Sequence, residues 1–352
     1  MGTRFWRDRA IQAGFLGLRA SGLHRMGGRA RGLGAVLMFH HVRPRGGETL
    51  RMNRGLEIDP GFLSTVVETL SDLGFDLVSL DDAVASIKDG ERARPFAAIT
   101  FDDGYRDNLD FAAPILRQHG APFAIYATSG FVGGTVRAWW EDLEAAIRRL
   151  PRVKMRLGAE VFDLPAETRA QKEAAADLLA PKLRTCPQAE AQAAVADLLA
   201  EAGAEAASGH ENLFMNWDAL RQLAQDPLCT IGVHTLTHPS LARLDRVTAS
   251  RELEESRRII EEKIGRPARH LAFPYGQADA AATREFELAR ELGFASAVTT
   301  RPGMIFGEHA AHLTALPRLS VNGIWQSRGA LEALLSGLPF ALWNRGRRLN
   351  VA

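Results

Sequence analysis

Phe96-Ala97-Ala98-Ile99-Thr100-Phe101-Asp102-Asp103-Gly104-Tyr105 is a short apolar run that stops abruptly at two carboxylates and a glycine. Its length and β-rich composition predict a strand over residues 96–101, with the acidic pair just past its end. Runs of the same kind recur at residues 35–39, 75–79, 122–127, 228–233, 270–274 and 294–298. Helical periodicity separates them at 61–73, 80–88, 108–118, 217–224, 247–264 and 280–292, with Asp59-Pro60 as a start signal and Gly74 as a stop. Strand-helix alternation of this length predicts an α/β protein with a parallel sheet closed into a (β/α) barrel. Residues 135–211 break the rhythm. They are rich in Ala, Glu, Leu and Arg, and read as an inserted helical subdomain that decorates the barrel, because they show no chemical cluster. The expected organisation is a basic helical segment over 1–34, the barrel over 35–134 and 212–323, the insertion over 135–211 and a helical tail over 324–352.

Composition narrows the partners. The 352 residues are 46% hydrophobic and 24% charged, which excludes disorder, collagen and coiled coil as global descriptions. Forty-three basic residues against 42 acidic ones leave a net charge of +1, which argues against nucleic acid. Two cysteines, Cys186 and Cys229, can build neither a disulfide framework nor a cysteine zinc site, and they fit a reducing compartment. The uncharged run 120–136 carries Pro, Ser, Thr and Gly and is too polar to span a bilayer. Residues 1–34 set Arg4, Arg7, Arg9, Arg19, Arg25, Arg29 and Arg31 against Asp8, with Ile11, Phe15 and Leu18 at helical spacing. That pattern suits a surface helix packed on the domain, or peripheral contact with an anionic membrane. It lacks the apolar core and cleavage site of an export signal, so the expectation is a cytoplasmic protein, with the inner membrane surface as its alternative address.

Every chemically dense spot follows a strand. His40-His41, Asp102-Asp103, His234-Thr235-Leu236-Thr237-His238 and Phe273-Pro274-Tyr275-Gly276 would all gather at the carboxyl ends of parallel strands, where barrel active sites lie. Adjacent carboxylates leaving a strand point apart, so Asp102 and Asp103 can divide into a metal ligand and a base. Taken alone, Asp-Asp-Gly is also ordinary turn chemistry, and two histidines four apart are also ordinary loop residues. Together they make an Asp-His-His set with room for water and substrate, the pattern of a catalytic metal. Trp139, Trp140 and Trp217 read as buried anchors rather than sugar platforms, and the Glu- and Arg-rich stretch 251–263 as a solvated helix face.

Thr100-Phe101-Asp102-Asp103-Gly104 and His234-Thr235-Leu236-Thr237-His238 resemble the first two motifs of the polysaccharide deacetylases, carbohydrate esterase family 4 or NodB-homology domain. Phe273-Pro274-Tyr275-Gly276 resembles the third motif of one branch. The resemblance implies a distorted (β/α) barrel and a hydrolase that removes N-acetyl groups from an aminosugar oligomer, polysaccharide or glycolipid. It implies one divalent metal, zinc first with cobalt, nickel or manganese as substitutes, held by Asp103, His234 and His238. Asp102 would be the general base, and Tyr275 would offer its backbone N–H to the oxyanion. The third motif of many members carries an arginine where this chain has Ala272, and Arg318 is the candidate replacement. The family's late histidine motif is absent in standard form. His40 resembles the histidine that a permuted branch presents from its first strand, and is the candidate acid, with His41 and His312 behind it. O-acetyl esterase, sugar-lipid deformylase and non-catalytic carbohydrate-binding envelope protein are the alternative functions. Oligomeric state leaves no signal in the sequence.

Overall fold

In the computed structural model, residues 28–46, 49–203 and 212–350 are described, together with 11, 14, 15, 17, 18, 21 and 22. Most of the expected N-terminal helical segment therefore lies outside the described residues. Twelve strands follow in chain order: β1 (Gly34–Phe39), β2 (His41–Val42), β3 (Glu57–Ile58), β4 (Asp76–Leu77), β5 (Phe96–Phe101), β6 (Phe123–Ala127), β7 (Arg152–Leu157), β8 (Glu160–Pro165), β9 (Cys229–Val233), β10 (His270–Ala272), β11 (Ser296–Pro302) and β12 (Leu316–Ser320).

The main sheet runs β1-β12-β11-β10-β9-β6-β5 and closes where β5 pairs with β1, Gly34 opposite Phe96 through Phe39 opposite Phe101. All these pairings are parallel, so the chain is the expected distorted (β/α) barrel, seven strands around. Two details differ from expectation. Residues 75–79 yield only the two-residue β4, which pairs with the first residues of β5 outside the closed ring. The seventh barrel strand is instead β12, Leu-Pro-Arg-Leu-Ser, whose proline and arginine disguise it as a loop.

Strand alternation sorts the barrel's residues. Ala97, Ile99 and Phe101 of β5 join the large core between sheet and helices, while Phe96 and Ala98 join a smaller cluster with Val36, Ala124, Tyr126, Ala272, Val298 and Leu316 inside the barrel. The helix Pro60–Asp72 begins as expected, with Asp59 accepting from the Gly61 N–H and proline in its first turn.

The insertion is not purely helical. Between the helix Trp139–Arg149 and the helices Arg169–Thr185 and Gln188–Ala202, β7 and β8 form an antiparallel hairpin with Arg152 opposite Pro165. β7 alternates exposed and buried residues, Val153, Met155 and Leu157 facing inward. This period-two signal is diluted by Arg and Lys at the outward positions. These residues build a second core with Leu143, Leu179, Leu183, Val195 and Leu198. Barrel residues Tyr105, Phe131 and Phe214 belong to it too, so the insertion is seated on the barrel mouth. Among the described residues, no helix is long and apolar enough to cross a membrane.

Candidate active site

The inward parity of the strands delivers the site. Val36 faces inward on β1, so His40 continues that row just beyond the strand and His41 falls on the opposite face. Phe96 and Ala98 lead in the same way to Asp102, and Leu316 leads to Arg318. His40, Asp102, Asp103, His234, His238 and Tyr275 all line one cleft of about 990 Å³ at the mouth. Left-handed backbone is concentrated here. Of the five non-glycine residues with positive φ among those described, four are Asp103 (73°), Thr235 (65°), His238 (65°) and Tyr275 (60°). Each such residue costs on the order of 1–3 kcal/mol, strain that characteristically gathers where function dictates geometry.

Asp103, His234 and His238 are buried, and their ligand atoms lie within 4.8 Å of one another. Asp103 Oδ1 is 3.3 Å from Nε2 of each histidine and has no well-directed hydrogen bond. The Nδ1–H of His234 donates to the Ala272 carbonyl at 2.7 Å. In the neutral ring that leaves Nε2 as a lone pair aimed at a carboxylate oxygen. A cation between them would relieve that contact, and two imidazoles with one carboxylate form a donor set that fits a divalent ion of the zinc type. Burial acts to raise the Asp103 carboxyl, but the two histidines outweigh it and hold it well below the usual carboxylate range.

The loop that carries His238 is fixed from behind. Glu252 accepts from the backbone N–H groups of Leu236 (3.0 Å) and Thr237 (2.8 Å), and from the Thr237 hydroxyl (2.8 Å). The Ser256 hydroxyl donates to the Thr235 carbonyl at 2.8 Å. Both residues lie in the stretch read as a solvated face. Arg258–Glu262 fits that reading, a pair across one helical turn at 3.0 Å. Glu252 and Ser256, four residues apart on the helix Arg246–Ile264, point inward instead. That i, i+4 spacing on one face was the available signal.

Asp102 is gripped by Arg318, Nη1 to Oδ1 at 2.7 Å and Nη2 to Oδ2 at 2.6 Å, with both side chains almost wholly buried. Arg318 Nε donates to the Thr299 carbonyl at 2.8 Å, which orients the fork. Burial alone would raise the Asp102 carboxyl; the guanidinium overcomes it and keeps the group below its ordinary value. Arg318 thus stands where Ala272 leaves no side chain to do so. His40 places Nε2 4.0 Å from Asp102 Oδ2, and its pKa is lowered, chiefly by burial. At Tyr275 the carbonyl accepts from the Thr300 hydroxyl and the phenol accepts from Trp139 Nε1 at 3.0 Å. Its backbone N–H makes no hydrogen bond among the described residues.

Three expectations are corrected. His41 does not reach the cleft: its ring is fully buried, Nδ1 2.5 Å from Asp107 and Nε2 3.4 Å from Glu141. Burial works against its charge, but the two carboxylates lift its pKa to about 9. His312 lies in the 3₁₀ segment Gly307–Ala315 that leads into the start of β12, away from the strand ends that form the mouth. The insertion is not decoration. Trp139, Trp140, Asp177, Pro181 and Arg184 line the cleft, and the Trp140 ring lies 4.8 Å from that of His238. Both tryptophans are nonetheless mostly buried, Trp140 donating to the Tyr105 hydroxyl at 2.9 Å, whereas Trp217 packs against the main core. The sequence reading missed Glu141, Glu144 and Glu252, whose roles depend on contacts distant in the chain.

A buried donor set able to hold a cation thus stands beside a buried carboxylate at the mouth of a β/α barrel. The family model "Polysaccharide deacetylase" matches residues 181–297, about a third of the chain. That span contains His234, His238 and the Tyr275 turn, while Asp102 and Asp103 lie upstream. No curated protein matches the sequence. Among solved structures, the Streptococcus pyogenes deacetylase PplD in complex with acetate superposes with a TM-score of 0.54 at 16% identity, covering 82% of this chain and 92% of that one. IcaB from Ammonifex degensii gives 0.52 at 17% identity, covering 85% and 96%. A polysaccharide deacetylase from Bacillus cereus gives 0.54 at 14% identity, covering 86% and 68%. At these identities the likeness speaks for the fold. The family match thus covers the segment that carries His234 and His238, and the barrel shares its fold with solved deacetylases.

Proposed function

We propose that this protein removes N-acetyl groups from an aminosugar oligomer, polysaccharide or glycolipid with the help of one divalent cation held by Asp103, His234 and His238. The observation that carries the reading is the buried Arg318 fork on Asp102, beside a donor set that fits a divalent ion. A binding protein would need the cluster at most; a second carboxylate kept ionised in a buried site is a base in waiting.

Zinc is the first choice for the cation, which when bound would lower the pKa of water to about 7 and polarise the acetamide carbonyl. The chain's own groups do the rest. Asp102, ionised and oriented, takes the proton of the attacking water. Tyr275 offers its free N–H to the oxygen that gains charge in the tetrahedral intermediate. His40 Nε2, 4.0 Å from Asp102 Oδ2, is placed to relay the proton that Asp102 takes from the water on to the leaving nitrogen. The cleft, partly walled by Trp139 and Trp140, is open to solvent and large enough to admit sugar units. Acetate, seen with the Streptococcus pyogenes deacetylase, is the product expected here.

The test is acetate release from N-acetylglucosamine oligomers, with chelator and then with zinc, cobalt, nickel or manganese restored, on wild type and Asp102→Asn. Metal-restored release that the substitution removes supports the proposal. Release only from O-acetylated or formylated sugars reassigns the leaving group. Stoichiometric metal with no release from any acyl sugar makes the protein a binder.

A further inference from the structure

The helix Leu338–Trp343 ends in two adjacent, strongly exposed apolar side chains. Leu342 is 75% exposed and Trp343 is 65% exposed. The chain then turns through Arg345, whose φ of 52° is the one positive value among non-glycine described residues that lies outside the cleft. Glycine is the usual occupant of such a position after a helix, and an L-residue there costs roughly 1–2 kcal/mol. The turn thus keeps a cation where glycine would be easier. Arg345, Arg347 and Arg348 are all exposed, and no acidic residue occurs after Glu332.

A fourth cation joins them. Gly337 sits so close to the Ala30 carbonyl that no side chain would fit. This brings Arg29 into the same shallow hollow of about 210 Å³ as Arg347 and Arg348. Among the described residues, the acidic partner of these four arginines is Glu308, 2.9 Å from Arg348. Phe15 meets Trp325 edge-on at 5.4 Å and packs with Ala330 and Ala333. None of these residues lines the catalytic cleft.

We propose that Leu342, Trp343, Arg345, Arg347 and Arg29 form a docking surface for a bilayer containing anionic lipid. Two projecting apolar side chains, one of them tryptophan, followed in the chain by exposed arginines match the headgroup boundary, where indole rings settle and each cation gains from the surface potential. A stable protein interface would need a far larger apolar area than two side chains. Charge complementarity therefore selects the anionic bilayer. Docking there leaves the cleft open.

The experiment is co-sedimentation of the full chain with vesicles of phosphatidylcholine alone and of phosphatidylcholine mixed with phosphatidylglycerol. Binding is expected only to the mixed vesicles and should fall in high salt. Each arginine is worth about fivefold in partitioning, so Arg29→Glu with Arg347→Glu should weaken binding by about 25-fold or more. Leu342→Ser with Trp343→Ser should weaken it several-fold. Acetate release from soluble oligomers stays unchanged in both double variants, showing that they are folded. Equal binding to both vesicle types, or binding that both double variants leave intact, overturns the proposal. So does failure to bind mixed vesicles together with self-association that Leu342→Ser and Trp343→Ser abolish, which would make the patch a contact between copies of this chain.

Discussion

Along β1, β5 and β12 every second residue faces the barrel interior, so His40, Asp102 and Arg318 arrive at the cleft by strand register. The insertion reaches the same cleft by docking. Its helix Trp139–Arg149 is held by its own core and by polar links to the loop after β1. His41 bridges Asp107 and Glu141, the Leu50 N–H donates to Glu144 at 2.7 Å, and Asn53 donates to the Trp140 carbonyl at 3.1 Å. Register is set by the sheet as a whole and is hard to disturb by one substitution. Docking through buried charges is not, because each partner removed leaves another stranded. Barrel substitutions should therefore strike chemistry, and substitutions at the docking seam should strike stability first.

The sharpest separation is expected at Asp102→Asn. Removal of the base should lower kcat by about 10²–10⁴ with bound metal retained, as read by single-turnover acetate release and metal content. Loss of metal along with activity would show that the two carboxylates do not divide their roles. At the seam, His41→Ala leaves Asp107 and Glu141 without their shared cation and should cost about 3–5 kcal/mol in denaturant unfolding. Its pH dependence has a definite sign. His41 is raised from 6.5 to about 9 in the fold, so its contribution is complete below pH 6.5 and disappears as pH rises through 9. A penalty that grows with pH would refute the clamp.

Glu144 shares that pH sign, but its substitution should stabilise rather than destabilise. Burial pushes its carboxyl up to about 7 despite the Leu50 N–H, so wild type loses stability as pH climbs from about 4.5 through 7. Glu144→Gln keeps an acceptor for Leu50 and should gain as much as about 3 kcal/mol at pH 8, with no gain at pH 4. A flat difference between those pH values would break the assignment. The smallest effect is expected at Glu252→Gln, behind the His238 loop, which should weaken metal affinity by about 10- to 100-fold and leave unfolding nearly unchanged. Unaltered metal affinity would return Glu252 to the solvated face from which the structure removed it.

The same contrast explains what could be read in advance. Asp102, Asp103, His234 and His238 stood out because strand ends concentrate polar residues after apolar runs, a local pattern. That His40 faces in and His41 faces out was also available, from counting by twos along β1. Arg318 was visible as a candidate, but β12 was hidden by its proline, so the pairing of arginine with Asp102 had no geometry behind it. The insertion resisted for a different reason. Its tryptophans and glutamates have roles only through partners far away in the chain, and β7 and β8 look helical in composition because their outward positions carry charge. The buried Glu252 was lost among charged neighbours that do face solvent.

Closure of the barrel by β12 also fixes an order of events on the ribosome. The Asp102 strand leaves the exit tunnel first, the two histidines only after the whole insertion, and the arginine that steadies Asp102 after both. Until that final strand threads between β1 and β11, the nascent chain holds a carboxylate whose burial has no counter-charge. The unfinished site must therefore stay wet, with Asp102 hydrated or protonated, until the last barrel strand is in place.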